Sequence, residues 1–332
     1  MLRLPQFGVQ SPSTVSEAVA LLATPGARIV AGGTDVLPNL KHHLDQPPLL
    51  VSLSGVAELR HVAINDGVLR VGAGLTLTEV AEHPTVREHA PSLALAAGLV
   101  AGPLHRNMGT LGGNVNLDVR CRYVNQTKFW REAIGGGCLK SEGDVCHVVP
   151  GGRNCVAAMS SDTVPVLCSL DAEIALVGAA GERTLPLEKY FKADGVAHRA
   201  AEPDEITTEL RIPVPTGPRR ATYAKWTVRE SIDFPLVSVA LRFDLESDDV
   251  HAKVTGLKVV AGVLGTRPRV VSKLDDEVVG LKLSDPAVAR IVSERVFKQC
   301  KPLENVPYEA PYRRKMLQVH ARRAVEALVQ GG

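Results

Sequence analysis

The N-terminal part of the chain alternates between short apolar runs and polar segments, as expected of a small α/β layer. Thr14 precedes an apolar stripe at helical spacing, and Glu17 follows it three positions later. This spacing is the pattern of a helix capping box, so we predict a helix over residues 13–24. Apolar runs at residues 28–31 and 49–53 predict two short strands.

The next stretch of the chain predicts a larger unit of strands and short helices. Asn65-Asp66-Gly67 is a strong turn signal between two alternating runs and predicts a β-hairpin. Thr76-Leu77-Thr78-Glu79 forms a second capping box, and residues 86–99 predict a further helix. Three more strands are predicted at residues 172–177, 183–187 and 209–213.

A cluster of prolines and glycine at residues 213–218 marks a boundary in this pattern. Two amphipathic segments beyond it predict helices at residues 286–299 and 312–328. Longer alternating runs predict an antiparallel sheet with strands at residues 222–227, 236–243 and 253–261.

This order of elements predicts a protein with two domains. The first domain occupies residues 1–216 and divides into subdomains at residues 1–58 and 59–216. The second domain, residues 217–332, contains the antiparallel sheet and the closing helices.

Composition narrows the range of partners. Apolar residues make up 45% of the chain, which is enough for a sizeable core, and charged residues make up 22% with a formal net charge of +2. This balance gives no reason to expect nucleic acid or an anionic membrane as a partner. Aromatic residues account for only 4%, which argues against stacking platforms for single-stranded nucleic acid. Because we find neither a long apolar span nor a signal-peptide core at residues 1–5, we expect a cytoplasmic protein.

Two glycine pairs stand out because each lies beside a threonine and is followed by an acidic or amide side chain. Gly32-Gly33 follows a predicted strand and precedes Thr34-Asp35, and Thr110 precedes Gly112-Gly113-Asn114. Glycine lets the backbone approach a phosphate closely, and successive amides can form an anion-binding nest. Neither segment is a Rossmann fingerprint or a P-loop. Each pair alone is better explained as a tight turn between a strand and a helix. Together, the two pairs make a cleft for a dinucleotide as well supported as two separate turns.

The cysteines predict a metal site. Four of the six are grouped at intervals of 17, 8 and 9 residues, namely Cys121, Cys138, Cys146 and Cys155. In a reducing compartment such a group indicates metal binding more than disulfides. No C-x-x-C pair is present, and four thiolates suit a zinc ion and a four-iron cluster equally well. Isolated thiols are the plainer alternative, and we expect Cys168 and Cys300 not to be ligands.

The glycine pairs belong to a wider set of motifs that resembles a known family. The set comprises Ile29-Val30-Ala31-Gly32-Gly33-Thr34-Asp35, Val71-Gly72-Ala73-Gly74, Thr110-Leu111-Gly112-Gly113-Asn114, Tyr223-Ala224-Lys225, Asp233 and Tyr312-Arg313-Arg314. It resembles, over essentially the whole chain, the medium, flavin-binding subunits of the xanthine oxidase and carbon monoxide dehydrogenase family. The resemblance implies a two-part FAD-binding domain of the vanillyl-alcohol-oxidase (PCMH) type. A C-terminal α+β domain of the CO dehydrogenase flavoprotein type would follow it.

The resemblance also implies which residues bind FAD. The two glycine loops would hold the pyrophosphate, Asp162 would contact the adenosine part, Lys225 would lie near the flavin ring and Val100 would line the cofactor. The plainer alternatives are a helix cap for Asp162, a surface lysine for Lys225 and ordinary core for Val100. The full implied set is Ile29, Val30, Ala31, Gly32, Gly33, Thr34, Asp35, Val36, Val100, Thr110, Gly112, Gly113, Asn114, Asp162 and Lys225.

Residues 119–158, approximately, form an insert relative to the common version of this family. The insert resembles that of the flavin subunits of 4-hydroxybenzoyl-CoA reductases, in which four cysteines hold a 4Fe–4S cluster. The matching residues include Arg120-Cys121, Tyr123, Trp130, Cys138-Leu139-Lys140, Cys146-His147-Val148 and Cys155. The resemblance therefore implies one 4Fe–4S cluster on the four grouped cysteines.

The other residues of this insert allow two more expectations. Its basic residues would offset the cluster charge, and Lys128, Arg131 and Lys140 would form a docking surface for an acidic ferredoxin. Three aromatic residues, Tyr123, Phe129 and Trp130, would give an irregular loop something to bury. For His147, a solvated position is expected.

Function follows from the resemblance as an expectation. The chain would be an electron-transfer subunit without catalytic residues of its own, in a dimer of heterotrimers with a large molybdopterin subunit and a small 2Fe–2S subunit. Reduced ferredoxin would supply electrons for the reductive dehydroxylation of 4-hydroxybenzoyl-CoA to benzoyl-CoA. The alternatives are a related molybdenum hydroxylase that runs oxidatively and a zinc-stabilised binding module without a redox role.

Overall fold

The computed structural model describes residues 2–331, which form three β-sheets with helices packed against them. The first sheet is parallel, with strand order β1-β3-β2. Thr14 caps the first helix by accepting a hydrogen bond from the Glu17 amide, as predicted. The elements of this unit are β1 (Gly8–Gln10), α1 (Val15–Leu22), β2 (Arg28–Val30), α2 (Val36–Lys41) and β3 (Leu49–Ser52).

The second sheet is antiparallel, with strand order β4-β5-β8-β6-β7. The predicted hairpin and the capping box at Thr76 and Glu79 are both present. Its strands are β4 (Val62–Asn65), β5 (Val68–Gly72), β6 (Glu173–Gly178), β7 (Gly181–Pro186) and β8 (Ile206–Pro213). Its helices are α3 (Leu77–Glu82), α4 (Pro84–His89), α5 (Pro91–Gly98), α6 (Pro103–Arg106), α7 (Leu111–Val115), α8 (Lys128–Ala133), α9 (Thr163–Ser169) and α10 (Leu187–Tyr190), and a 3-10 turn covers Ala57–Leu59.

The helix predicted at residues 86–99 is wrong as one element. Two helices, α4 and α5, occupy this region because the backbone leaves the helical conformation at Ala90. Pro91 follows as the first residue of α5, and proline disfavours a helical conformation at the residue before it. The break lets α5 turn its buried face, including Leu93 and Ala97, toward the core.

The third sheet is antiparallel, with strand order β12-β11-β10-β9. One face packs against α12 and α13 in a core that includes Leu241, Val259 and Leu317. The opposite face supplies Tyr223, Ala240 and Val260 to the core of the second unit. The elements are β9 (Arg219–Trp226), β10 (Val237–Leu245), β11 (Val254–Gly262), β12 (Arg269–Val270), α11 (Asp275–Val278), α12 (Pro286–Gln299) and α13 (Ala310–Gln330).

Through this shared core, the third sheet packs against α5 and α9, and β9 lies directly against α5. Within residues 2–331, none of the helices combines the length and apolar character needed to cross a membrane.

Candidate functional site

The first glycine loop, residues 31–35, connects β2 to α2. A Cβ on Gly32 would lie 1.8 Å from the carbonyl oxygen of Met108, so only glycine fits there. Gly33 has a φ of +71°, a left-handed conformation that glycine adopts without strain. Across the described residues 2–331, no group accepts a hydrogen bond from the amides of Gly33, Thr34 and Asp35. These successive donors are therefore available to an anion.

The second glycine loop, residues 110–114, has its amides occupied. The Gly112 amide donates to the Ala73 carbonyl at 2.8 Å, and the Gly113 amide donates to Thr110 Oγ1 at 3.0 Å. A Cβ on Gly112 would lie 2.7 Å from the Ala73 Cβ. Here glycine allows α7 to pack closely against the end of β5.

The two loops meet, as the cleft hypothesis requires. Gly32 contacts the Met108 backbone, and a Cβ on Gly109 would lie 3.4 Å from Thr34 Oγ1. Residues 108–109 therefore join the second loop to the first, and the glycine pairs border one site.

Asn114 anchors the second loop to the start of α9. Its Oδ1 accepts hydrogen bonds from Ser161 Oγ and Thr163 Oγ1, both at 2.7 Å, and from the Thr163 amide at 3.2 Å. Asn114 is buried, so these bonds are shielded from water. The arrangement holds Asp162, between the two hydroxyl residues, beside the loop.

Asp162 and Lys225 form a buried ion pair. Lys225 Nζ lies 3.0 Å from Asp162 Oδ1 and also donates to the Leu99 carbonyl at 2.6 Å. The Tyr223 hydroxyl donates to the same carboxylate at 2.9 Å. Burial raises the pKa of Asp162, while Lys225 and Tyr223 oppose that rise.

This pair corrects two interpretations of the sequence. The Asp162 side chain makes no capping hydrogen bond to α9, so its plainer alternative, a helix cap, does not explain it. The Lys225 side chain is only 8% exposed, so Lys225 is not a surface lysine. The two residues therefore lie at one place in the fold, and their contacts with the adenosine and flavin parts of FAD stay predictions. Val100 is half-buried and packs against the core, and its role in lining the cofactor stays a prediction.

A hairpin loop between β9 and β10, residues 227–236, borders the same region. The Ile232 amide donates to the Ala101 carbonyl at 3.1 Å. Ile232 has a φ of +67° and Ala101 a φ of +42°, both rare for residues with a Cβ. Sequence reasoning missed these two residues because no local pattern indicates a left-handed conformation at isoleucine or alanine.

The four grouped cysteines surround one cavity. Cys121, Cys138, Cys146 and Cys155 all line it, together with Tyr123, Val124, Leu139, His147, Val148, Val156 and Ala157. Three of the cysteines are buried, and Cys138 is half-buried. In the described range 2–331, no three or more His, Cys, Asp or Glu side chains are arranged to hold a metal ion.

Burial controls the chemistry of the free thiols. It raises the pKa of Cys121 to about 11 and also raises the pKa of Cys155. The amides of Tyr123 and Val124 face the Cys121 sulfur, and the Val149 amide donates to Cys146 Sγ at 3.4 Å. These donors favour thiolate, so the cavity combines apolar walls with groups that stabilise sulfur ligands.

The predicted ferredoxin surface is wrong in two of its three residues. Arg131 is 3% exposed and donates to backbone carbonyls, including that of Gln126 at 2.5 Å. Lys140 binds Asp118 Oδ1 at 2.9 Å and is mostly buried. Only Lys128 remains well exposed. Arg131 and Lys140 therefore hold the insert in place.

The aromatic residues of the insert also depart from expectation. Phe129 is 81% exposed, whereas Tyr123 and Trp130 are half-buried. His147 packs against Tyr123 with ring centroids 5.1 Å apart and the rings tilted by 33°, and it lines the cysteine cavity. The solvated position expected for His147 is therefore wrong. Cys168 and Cys300 are buried and do not line this cavity.

Comparisons with known proteins match most of the chain. The family described as "FAD binding domain in molybdopterin dehydrogenase" matches residues 5–215, and "CO dehydrogenase flavoprotein C-terminal domain" matches residues 222–328. The aldehyde oxidoreductase FAD-binding subunit of Escherichia coli (strain K12) is 31% identical over 244 residues, 70% of this chain and 76% of that protein. The nicotinate dehydrogenase FAD-subunit of Eubacterium barkeri is 24% identical over 311 residues, 91% of this chain and 90% of that one.

The fold is shared with solved structures as well. The chain superposes on reconstituted carbon monoxide dehydrogenase from Oligotropha carboxidovorans with a TM-score of 0.80 at 22% identity, covering 99% of this chain and 100% of that one. The predicted fold class, a two-part FAD-binding domain followed by an α+β domain of the CO dehydrogenase flavoprotein type, is confirmed.

Proposed function

The chain belongs to the family of FAD-binding subunits of molybdopterin dehydrogenases, and we propose that its two glycine loops and the Asp162–Lys225 pair hold the FAD. The observation that carries this assignment is the contact between the loops at Gly32 and Met108. The free amides of Gly33, Thr34 and Asp35 would bind a phosphate, which fits the cofactor. The remaining contacts of the set, from Ile29 to Val36 and from Thr110 to Asn114, would shape the surrounding walls.

When bound, FAD exchanges electrons singly or in pairs, which lets a subunit of this kind join one-electron and two-electron carriers. The chain's own residues position the cofactor. Asp162 and Lys225 would contact the FAD as an ion pair whose charges already cancel. Ile232, in the hairpin loop, would exclude water from the edge of the site.

We infer further that the cavity lined by the four grouped cysteines, the cysteine pocket, holds one 4Fe–4S cluster on Cys121, Cys138, Cys146 and Cys155. All four thiols line one cavity, and amides face two of the sulfurs. The resemblance of the insert to that of 4-hydroxybenzoyl-CoA reductases favours iron over zinc. Metal binding would displace protons from the buried thiols, so loading should be favoured by rising pH.

By the same resemblance, we propose that the chain works with a large molybdopterin subunit and a small 2Fe–2S subunit, in a dimer of heterotrimers. Ferredoxin would donate two electrons, and with two protons these would convert 4-hydroxybenzoyl-CoA to benzoyl-CoA and water. An oxidative role is the second candidate, because relatives of this chain are named nicotinate dehydrogenase, carbon monoxide dehydrogenase and nicotine 6-hydroxylase subunits.

Iron and sulfide analysis tests the cluster. The anaerobically purified wild-type chain should contain iron and acid-labile sulfide, and Cys146→Ser should lose both. Cys168→Ser and Cys300→Ser, which alter buried thiols away from the cavity, are the matched controls and should keep them. Stoichiometric zinc without iron would establish the zinc-stabilised module instead, and loss of the cluster in Cys168→Ser alone would refute the ligand set.

The direction of electron flow is tested on the assembled complex. Reduced ferredoxin and 4-hydroxybenzoyl-CoA should give benzoyl-CoA. Hydroxylation of another substrate with an oxidising acceptor, and no benzoyl-CoA, would assign the chain to the oxidative candidate.

A further inference from the structure

Arg120 lies where three parts of the molecule meet. Its guanidinium forms an ion pair with Asp35, the last residue of the first glycine loop. Its Cζ lies 4.4 Å from the ring centroid of Phe234, which belongs to the hairpin loop at residues 227–236. Along the chain it is followed directly by Cys121 of the cysteine pocket. The Arg120 side chain thus touches the first glycine loop and the hairpin loop, and its backbone belongs to the base of the insert.

The backbone of Arg120 closes the base of the insert. Its amide donates to the Ala158 carbonyl and its carbonyl accepts from the Ala158 amide, both at 2.7 Å. Cys121 and Cys155 lie just inside this bridge. A group that joins these two cysteines would therefore fix both ends of the insert and, with them, the backbone from which the Arg120 side chain extends.

The Arg120 side chain transmits this constraint to the first glycine loop. Asp35 Oδ2 accepts from Asn39 Nδ2 at 3.1 Å, and Arg120 Nη1 donates to Asn39 Oδ1 at 3.3 Å. Arg120 thus holds Asp35 both directly and through α2. The Arg120 side chain is 15% exposed, so this pairing is partly shielded from water and weakly screened. A flat guanidinium can bind a carboxylate and stack on an aromatic ring at once, which lysine cannot do equally.

We propose that Arg120 is a positioning residue that couples occupation of the cysteine pocket to the affinity of the first glycine loop for FAD. The inference rests on the proposed FAD and cluster sites. An occupied pocket fixes Arg120, and Arg120 then holds Asp35 so that the neighbouring free amides converge on a phosphate.

The test titrates FAD into the deflavinated full-length chain and measures the dissociation constant from flavin fluorescence, with iron content determined for each sample. Arg120→Gln should raise the Kd about tenfold, as expected for loss of one strong charged contact. Arg120→Lys should recover part of the affinity. Arg153→Gln removes an exposed arginine of the same insert and should leave the Kd unchanged.

Coupling distinguishes this role from plain stabilisation. Cys146→Ser should weaken FAD binding in the wild-type background and weaken it much less when Arg120→Gln is already present, because the two changes break the same connection. If the two effects multiply independently, or if Arg120→Gln binds FAD as the wild type does while retaining iron, the proposal is overturned.

Two further outcomes are decisive. If Arg120→Gln does not fold, as judged by circular dichroism, Arg120→Lys and Phe234→Leu take its place, and unchanged Kd values in both would refute the role. A wild-type chain that binds no FAD at all would overturn the proposed function. A chain that binds FAD and iron but shows no coupling overturns this inference alone.

Discussion

The two glycine loops share a sequence pattern but differ in what their glycines do. In the first loop, the amides of Gly33, Thr34 and Asp35 have no acceptors among residues 2–331. In the second, the amides of Gly112 and Gly113 already bind the Ala73 carbonyl and the Thr110 side chain. The first loop supplies hydrogen-bond donors, whereas the second supplies shape. Whether each backbone donor already has an acceptor, not the number of glycines, separates the two roles.

The largest effect is expected for Gly32→Ala. The new methyl carbon would meet the Met108 carbonyl oxygen at 1.8 Å and its carbon at 2.3 Å, and neither backbone atom can move aside easily. The two loops would separate, so we expect loss of bound flavin and a drop in the free energy of unfolding of about 3 kcal/mol. Flavin content and chemical denaturation measure both. Gly217→Ala is the control, because no atom lies within 4 Å of the position that its Cβ would take. Stoichiometric FAD in the Gly32→Ala protein would disprove the contact between the loops.

Gly112→Ala should have an intermediate effect. Its methyl group would lie 2.7 Å from the Ala73 Cβ, which belongs to a side chain that can be shortened. We expect about 1–3 kcal/mol of destabilisation and weaker, but measurable, FAD binding. Adding Ala73→Gly should restore much of the stability. No recovery in the double variant would argue against a role in close packing.

The sheet behind the second loop provides a pH-dependent test. The Ala73 amide donates to the Thr208 carbonyl of β8, so β8 supports that loop. Burial raises the pKa of the neighbouring Glu209, but hydrogen bonds from Arg70, Arg211 and His61 outweigh it and bring the pKa to about 2.

The sign of this effect follows from the lowered pKa. Because Glu209 ionises more readily in the folded state, its stabilisation is complete above the unfolded pKa of about 4.3 and is lost as the pH falls through the folded pKa. Glu209→Gln should lower the free energy of unfolding by about 1–3 kcal/mol at neutral pH. The difference from wild type should shrink toward pH 2 in denaturation measured across this range. A difference that stays constant with pH would contradict the ionic role.

The smallest effect is expected for Gly113→Ala. Its Cβ would contact only Thr110 Oγ1, at 3.1 Å, and alanine suits a helix better than glycine. Stability should change by less than about 1 kcal/mol, and FAD affinity should change little. Gly113→Val carries a larger, branched side chain, so a marked loss of FAD in that variant would place a phosphate directly against this glycine. A severe and equal loss of FAD affinity in both variants would instead indicate that the second loop, like the first, donates backbone hydrogen bonds to the cofactor.

Elements stabilised by neighbouring residues could be predicted from the sequence. The capping box at Thr76, the hairpin turn at Asp66-Gly67 and the bounds of α12 are all confirmed. The grouping of four cysteines predicted a shared metal site; all four line one cavity, and the metal itself stays a prediction. These features depend on spacing within a few residues or within one insert, which a sequence shows directly.

Features that depend on distant residues could not be predicted in this way. The burial of Arg131 depends on carbonyls from two separate segments, at His42–His43 and at Val124–Gln126. The Asp162–Lys225 pair joins α9 to β9, and nothing near either residue indicates the other. The resemblance named both residues for separate contacts with the cofactor, but it gives no distance between them, so their pairing could not be predicted.

The sequence by itself determined the main strands and the closing helices, the positions of the glycine loops, the grouping of the cysteines and the resemblance to the family, because these depend on residue identity and local spacing. Only the tertiary structure decided which amides of the glycine loops lack acceptors and which basic residues of the insert are buried. It also decided that Arg120 lies between the cysteine pocket and the first glycine loop. The physical reason is that hydrogen-bond satisfaction and desolvation are set by whichever groups packing brings together, however far apart they lie along the chain.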